Sequence, residues 1–280
     1  MPNRIVRIPS AKAKPHMTRP LRLVQITDTH LFRDQSEDLR GIATLPALRA
    51  VLRHAADAIA GADALLVTGD VVQDDAGGYV HFREAFAALG KPVLCIPGNH
   101  DDVPEMRRAL AAPPFIMDPH VDIGGWRIVL LDSVKPGEAS GALSDAALAA
   151  LSQSLAGAGD RHVLVCLHHH PVDMQSRWLD TVGLDNPDDL FRILDAHTNV
   201  RALTWGHVHQ AWEGERRGVR LLATPSTCTQ FLPAADDFAI DTRPPAYRIL
   251  ELAAGGGIET EVVWLDRFAA EAASSSSSVG

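Results

Sequence analysis

The feature that most constrains this 280-residue chain is a pattern that occurs five times, a short apolar run followed at once by Asp, Asn or His. The run Val93 to Ile96, for example, ends at Pro97-Gly98 and is followed by Asn99, His100 and Asp101. The other four runs end at Ile26, Val67, Leu167 and Trp205. Because α/β folds place their chemistry at the carboxyl ends of strands, the five segments predict one site at one sheet edge.

The order of apolar runs and amphipathic segments predicts the fold class. Up to about residue 111, strand-like runs alternate with segments of helical periodicity, and Leu45, Leu48 and Val51 predict a helix that continues to about Ala60. A second block of short strands follows, with helices that begin after Ser144 and after Asn186. Together the two blocks predict an α/β fold, a four-layer αββα sandwich of two mixed β-sheets with helices on the outer faces.

Composition divides the chain into one large domain and two tails. Residues 1–19 hold five basic residues and no acidic one, and they lack the apolar segment of a secretory signal, so we expect a flexible basic N-terminal arm. Residues 269–280 contain five consecutive serines and are expected to be a disordered tail. The remaining residues, 20–268, have the length of a single large domain with a substantial core.

Charge and cysteine content limit the partners and the compartment. The formal net charge of −9 disfavours nucleic acid as a partner, because phosphate binding requires clustered Lys and Arg. No apolar stretch approaches the ~20 residues of a membrane helix. Three cysteines, Cys95, Cys166 and Cys228, form no framework, which indicates reduced thiols and a cytoplasmic location. The sequence is compatible with a homodimer but does not predict one.

The residues that follow the five strands are of types that commonly bind metal ions. Asp28 and His30 are two apart, as are His207 and His209, so on extended segments each pair points the same way. Further donors follow the remaining strands, namely Asp70, Asn99 and one of the histidines that precede Pro171. This mixed nitrogen and oxygen set contains no sulfur, which suits manganese, iron or zinc better than calcium or magnesium. Seven donors exceed the usual protein share of one ion and predict a pair.

In order and spacing these blocks resemble the calcineurin-like metallophosphoesterases. The resemblance is carried by Asp28-x-His30, Gly69-Asp70, Gly98-Asn99-His100-Asp101, His169-x-Pro171 and Gly206-His207-Val208-His209. The stretches between them resemble the bacterial class III 3′,5′-cyclic-AMP phosphodiesterases over about residues 21–267. That narrower resemblance is carried by Leu131-Asp132-Ser133, Pro136-Gly137-Glu138, Gly141-x-Leu143-Ser144, Leu222 to Thr227 and Asp236-Asp237-Phe238.

The resemblance implies a role for each residue of the constellation. Asp28, His30 and His209 would bind one ion, Asn99, His169 and His207 the other, and Asp70 would bridge them. The ions would be iron, manganese or both, with zinc as an alternative. His100 would not bind metal but would steady or protonate the leaving oxygen. The choice of His169 depends on its position two residues before Pro171, and we expect His168 and His170 to support or pack against the site.

The function that follows from the resemblance is hydrolysis of 3′,5′-cyclic AMP to 5′-AMP through a metal-bridging hydroxide. Two alternatives stay open at this stage. The same centre would serve a broader phosphoesterase acting on glycerophosphodiesters or other nucleotides, since the chemistry fixes the phosphorus and not its substituents. A non-catalytic scaffold is the other alternative. The segment Pro171 to Gly183 is a candidate lid, in which Arg177 would meet phosphate and Trp178 would stack on a base, or both would only pack the loop.

Overall fold

The computed structural model describes residues 19–266. Of the predicted basic arm it includes only Arg19, and the predicted serine-rich tail lies outside the described residues. None of the helices in this range has the length and apolar character needed to cross a membrane.

The described residues form short strands and helices that alternate along most of the chain. The strands are β1 Leu21–Ile26, β2 Asp38–Leu39, β3 Ile42–Ala43, β4 Ala64–Thr68, β5 Val93–Ile96, β6 Phe115–Ile116, β7 His120–Ile123, β8 Trp126–Leu130, β9 His162–Cys166, β10 Val200–Trp205, β11 Trp212–Arg216, β12 Val219–Ala223, β13 Gln230–Phe231, β14 Ile240–Asp241, β15 Ala246–Leu252 and β16 Ile258–Trp264. The α-helices are α1 Thr44–His54, α2 Ala56–Gly61, α3 Tyr79–Ala87, α4 Val103–Ala109, α5 Asp145–Ala156 and α6 Pro187–Leu194.

Two six-stranded mixed sheets form the centre of the fold. The first has the order β16-β15-β1-β4-β5-β6, with parallel pairing from β1 to β6 and antiparallel pairing of β15 and β16. The second has the order β11-β12-β10-β9-β8-β7, in which β12, β10, β9 and β8 are parallel and both edge strands are antiparallel. In each sheet the parallel strands therefore deliver their carboxyl ends to one edge.

The sheets pack face to face, and helices cover their outer faces. Leu23, Leu66 and Leu94 of the first sheet share one buried cluster with Leu164 and Leu222 of the second. A second cluster joins the other face of the first sheet to helices α1 and α3, and a third joins the second sheet to α5 and α6. The layer order is α-β-β-α, and the predicted fold class is confirmed.

Three local predictions differ from the structure. The helix predicted from residue 45 to about Ala60 is interrupted at Ala55, which leaves helical geometry with ψ 3°. The strand predicted to begin at Gln210 begins at Trp212. Asn186 precedes helix α6 as predicted but does not cap it, because its side chain accepts a hydrogen bond from the Leu143 amide at 2.9 Å. Ser144, by contrast, caps α5 by accepting from Ala147.

A fully buried arginine ties the two sheets together. Arg248 lies on β15 of the first sheet and donates to the Ala223 carbonyl of β12 at 2.8 Å and to Glu213 of β11 at 2.7 Å. Its remaining donors reach Thr224 and Thr260 at 3.2 and 3.0 Å. Burial lowers the pKa of this guanidinium, although Glu213 opposes the shift. Because every contact except Thr260 belongs to the second sheet or the loop after it, Arg248 fixes the register between the layers.

We predict that Arg248→Ala lowers the free energy of unfolding by about 2–4 kcal/mol, because it leaves a cavity between the sheets and removes the donor to the buried Ala223 carbonyl. The control is Arg217→Ala, because Arg217 also pairs with a carboxylate, that of Asp195 at 2.9 Å, but with an exposed side chain. That change should cost about 1 kcal/mol or less. Urea unfolding followed by circular dichroism measures both, and equal costs would show that Arg248 does not clamp the sheets.

Candidate metal centre

The five predicted strand ends meet at one place, where the carboxyl edges of the two sheets adjoin. The first sheet supplies Asp28 and His30 after β1, Asp70 after β4 and Asn99 after β5. The second sheet supplies His168, His169 and His170 after β9, and His207 and His209 after β10. Except for Asn99 and His170, these residues have donor atoms that fall into overlapping groups within 4.8 Å of one another. The site is therefore shared between the sheets.

One group of donors consists of Asp28, His30 and His209, all of which are buried. Nε2 of His30 lies 3.1 Å from Nε2 of His209, and the latter lies 3.4 Å from Oδ1 of Asp28. The distance from His30 Nε2 to Asp28 Oδ1 is 4.0 Å. Three donor atoms from two sheets thus face a common point.

A second group surrounds Nε2 of His168. This atom lies 3.2 Å from Oδ1 of Asn99, 3.2 Å from Nδ1 of His207 and 3.3 Å from Oδ2 of Asp70. The same Asp70 oxygen is 3.7 Å from Nε2 of His30 in the first group. Asp70 is therefore positioned between the two groups, as a bridging carboxylate would be.

Backbone carbonyls fix the tautomers of the histidines. Nδ1 of His168 donates to the Thr68 carbonyl at 2.7 Å, and Nε2 of His207 donates to the Val182 carbonyl at 3.0 Å. Nδ1 of His209 donates in the same way to Thr229 at 2.6 Å. In neutral rings the opposite nitrogens, His168 Nε2 and His207 Nδ1, then face each other as two acceptors. Two acceptors at this distance need a proton or a metal cation between them, and orientation by a carbonyl is typical of metal-binding histidines.

The spacing of the donors also fits a bound ion. Nitrogen and oxygen ligands lie about 2.0–2.2 Å from zinc, so two ligands at right or tetrahedral angles stand ~2.8–3.6 Å apart. Most donor pairs in the two groups have separations in this range, from 3.1 to 3.4 Å. The residues present thus fit two metal ions with oxygen and nitrogen ligands.

The electrostatics of the site favour the binding of a cation. Burial opposes ionisation of Asp70, but the neighbouring His168 and His30 outweigh it and hold its pKa well below the usual value. Burial likewise disfavours charge on His168, yet Asp70 and Asp28 raise its pKa to about 9. Burial alone dominates at His30 and lowers its pKa to about 4. Two buried carboxylates therefore draw in whatever cation is available.

The backbone differs from the predicted extended segments. Asp28, His30, Asp70, His207 and His209 all have positive φ, between 45° and 66°. This left-handed conformation turns each side chain back toward the strand ends. The loops also pack closely here, since a Cβ on Gly98 would overlap the Asp70 carboxylate. Asp28, His30, His207 and His209 do converge, but on a left-handed backbone and not on the extended segments from which their common direction was predicted.

The three consecutive histidines have different surroundings. Only His168 places a ring nitrogen beside Asp70, whereas Nδ1 of His169 contacts the Ser133 hydroxyl at 2.8 Å. His169 packs edge-on against His168, and a Cβ on Gly141 would overlap its ring. His170 stacks on His207 with centroids 5.6 Å apart. His169 still has a nitrogen within 4.8 Å of donors of His168 and His207, so the geometry favours His168 and ranks His169 behind it.

His100 lies at the edge of the donor cluster, with a ring nitrogen within 4.8 Å of donor atoms of His30 and Asp70. Its backbone amide donates to Oδ1 of Asp70 at 2.9 Å, while its ring Nδ1 lies 2.9 Å from Oδ2 of Asp74. Burial disfavours the protonated ring, but Asp70 and Asp74 outweigh it and raise the pKa of His100. Because Asp74 engages Nδ1, Nε2 is the nitrogen available to a substrate. Asp74 could not be identified from the sequence, because its contact with His100 depends on how two separate loops fold.

The next residue, Asp101, shapes the turn that carries Asn99 and His100. Its buried carboxylate accepts from the amides of Gly98 and Val71 at 2.9 and 3.1 Å and from the Tyr79 hydroxyl at 3.0 Å. Burial is the main reason that its pKa rises to about 6. Asp101 thus holds the loops after β4 and β5 together from behind the site.

A cavity of about 230 Å³ opens onto both donor groups. Besides the donors it is lined by His100, Gln73, Arg40 and three aromatic residues, Trp178, Phe231 and Phe238. Of the two lid residues proposed from sequence, Trp178 lines the cavity, whereas Arg177 is exposed and pairs with Asp236 at 2.8 Å. Arg40 and Phe231 had no sequence signal, because the distant segments that bring them to the cavity meet only in the folded chain.

Comparison with known proteins agrees with this architecture. The chain is 42% identical to the 3′,5′-cyclic adenosine monophosphate phosphodiesterase CpdA of Pseudomonas aeruginosa over 245 residues, which cover 87% of this chain and 90% of the relative. It is also 42% identical to the CpdA of Escherichia coli K12, with 86% and 89% covered. Its fold resembles a dimetal phosphatase from Danio rerio, with a TM-score of 0.60, 14% identity and coverage of 88% and 99%.

A model of the calcineurin-like phosphoesterase family matches residues 21–211, which include every predicted donor. The match begins at β1 and ends just after the loop that carries His207 and His209. From this match and the identity to the CpdA proteins, we conclude that the chain belongs to the calcineurin-like phosphoesterase family.

Proposed function

We propose that this protein hydrolyses 3′,5′-cyclic AMP to 5′-AMP at a two-metal centre. The observation that carries the proposal is the pair of donor groups that share Asp70, found in a chain 42% identical to CpdA phosphodiesterases along most of its length. The geometry supports a phosphoester reaction, and the relatives favour the cyclic nucleotide as its substrate.

The proposed ligands follow the two groups of donors. Asp28, His30 and His209 bind one ion, Asn99, His168 and His207 bind the other, and Asp70 bridges them. His168 replaces the His169 predicted from sequence, because its Nε2 lies within 3.3 Å of Asn99, His207 and Asp70. A donor set of imidazoles and carboxylates favours iron or manganese, with zinc as the alternative.

Two ions in these positions would supply a bridging hydroxide nucleophile and neutralise charge on the phosphoryl oxygens. The protein supplies the orientation. The carbonyls of Thr68, Val182 and Thr229 hold three imidazoles in one tautomer, so the lone pairs that face the site stay in place during turnover.

His100 is proposed to act on the leaving 3′ oxygen. Nδ1 lies 2.9 Å from both Asp74 Oδ2 and the Gln73 amide nitrogen, which leaves Nε2 for a substrate, and Asp74 favours the protonated ring that donation requires. The leaving oxygen of a ribose is a poor leaving group, so a proton delivered from Nε2 lowers the barrier to its departure.

The test of the function is a comparison of substrates. With iron or manganese supplied, kcat/KM for cyclic AMP should exceed that for a glycerophosphodiester by at least about tenfold, a difference of about 1.4 kcal/mol in the barrier. Chromatography of the products should show 5′-AMP. Equal rates on both substrates would favour the broader phosphoesterase, and absence of turnover of any phosphoester by metal-loaded protein would favour a scaffold.

The assignment within the histidine run predicts different metal contents for two variants. His168→Ala should lose most of one metal equivalent per chain. His169→Ala should retain both ions and show metal affinity weakened by ~10–100-fold, as for residues that support a ligand. Mass spectrometry of the metals after dialysis against a chelator measures both, with His170→Ala as the control. The reverse order would restore His169 as the ligand.

The role of His100 predicts a rate effect without metal loss. His100→Ala should keep two ions and reduce kcat on cyclic AMP by about 10²–10⁴-fold, the usual contribution of a general acid. The value of kcat on bis(4-nitrophenyl) phosphate should fall much less, because the leaving group of this substrate needs little protonation. Asp74→Asn should also reduce kcat on cyclic AMP more than kcat on the aryl substrate, but by a smaller factor. An equal loss on both substrates would indicate that His100 positions the phosphate instead.

A further inference from the structure

Three aromatic side chains form a continuous surface on one side of the cavity, here called the aromatic wall: Trp178, Phe231 and Phe238. Their ring centroids are 5.1–5.4 Å apart, and each pair meets edge to face. The wall adjoins the donors directly, since the Phe231 ring stacks on His209 at 4.1 Å with an interplanar angle of 5°. It therefore extends from the metal centre toward solvent.

The outer end of the wall is an aromatic ring that the fold does not cover. Phe238 is 43% exposed, and it lies between β13 and β14, the two short strands that form a hairpin at the cavity rim. Leu232 in the same hairpin is also 43% exposed but does not line the cavity. Exposed apolar surface of this size is ordinary on its own. What distinguishes Phe238 from Leu232 is that Phe238 lines the cavity that opens onto the donors.

A cation lies beside this ring. The Arg40 guanidinium is 5.1 Å from the centroid of Phe238, at the tip of the β2–β3 turn. Within residues 19–266 no carboxylate lies within ion-pair distance of Arg40, although most other arginines that the structure describes have such a partner. The cavity thus has an acidic and imidazole-rich end at the donors and an aromatic, cationic end at Phe238.

These two ends match the two parts of a nucleotide. The phosphate would bind at the donors. The base, which is attached through the ribose, would then extend toward the aromatic end of the cavity. Bases stack on aromatic rings and on guanidinium planes, because each base has a large π face. A glycerol group or another small alcohol has no such face and would gain little from the wall.

We propose that Phe238, supported by Trp178 and Phe231 and flanked by Arg40, is the binding surface for the purine base of the substrate. The proposal rests on the proposed function, since it takes the phosphate to be at the two donor groups. Stacking uses the face of the base and not its edge, so the wall binds adenine and guanine alike. It makes the enzyme selective for nucleotides over diesters without a base.

The test compares cyclic AMP with an abasic ribose 3′,5′-cyclic phosphate. In Phe238→Ala the ratio of kcat/KM for the two substrates should fall ~5- to 150-fold, the cost of losing one base–aromatic stack. The change should reside in KM, and cyclic GMP should lose a similar factor. Phe238→Tyr should restore the ratio, and Arg40→Ala should lower it by a smaller factor.

Leu232→Ala is the matched control, with the same exposure in the same hairpin and no contact with the cavity. It should leave the ratio unchanged. A ratio that also stays unchanged in Phe238→Ala overturns the proposal. An equal loss on the abasic substrate in Arg40→Ala overturns the part assigned to Arg40 and makes it a phosphate contact.

A binding experiment separates this proposal from the proposed function. Calorimetry with 5′-AMP and with ribose 5-phosphate on the metal-loaded protein requires no turnover. 5′-AMP should bind at least about fivefold more tightly, and Phe238→Ala should abolish that difference. Equal affinities would refute the base-binding surface even if cyclic AMP is hydrolysed. A preserved difference in a protein that does not cleave cyclic AMP would support it while the proposed reaction fails.

Discussion

Asp70 places a carboxylate in an almost fully buried position, and much of the architecture serves to compensate that charge. The His100 amide donates to one of its oxygens, while imidazoles from both sheets approach the other at 3.3 and 3.7 Å. A buried ion without such partners would cost several kcal/mol. The compensation requires the carboxyl edges of two separate sheets to stay in register, which is why the layers are joined by polar contacts and not only by apolar packing.

Those polar contacts lie toward the ends of the strands that carry the site, where Arg248 pairs with Gln25 in the first sheet. Gln25 and Thr204, on the central strands β1 and β10, hydrogen bond across the interface at 2.8 Å, and Ser226 donates to the Asp28 carbonyl at 2.7 Å. Purely apolar layers could slide by small amounts without losing much buried area. Directional hydrogen bonds between the layers penalise such a slide, so the donors from the two sheets keep their separations.

The sequence predicts the strand ends well because an apolar run followed by ligand-type residues is a local signal. The fold class and the residues of the centre follow from it. Spacing does not decide which of His168, His169 and His170 faces Asp70, because all three share one residue type and the backbone turns immediately after β9. Asp74, Arg40 and Phe231 were not visible at all, since their roles depend on neighbours from other loops. The sequence thus predicts which residues converge on the site, whereas the direction of each side chain depends on the folded backbone.

The left-handed backbone at five of the donors has a consequence for which amino acids can serve there. Asp, Asn and His are the non-glycine residues that tolerate positive φ best, and they are also good ligands for iron, manganese and zinc. The absence of thiolates and glutamates from the centre then has a conformational reason in addition to a chemical one. Exchanges among those three residue types would vary the ligand field on a constant backbone, which makes this loop geometry a natural frame for tuning metal preference.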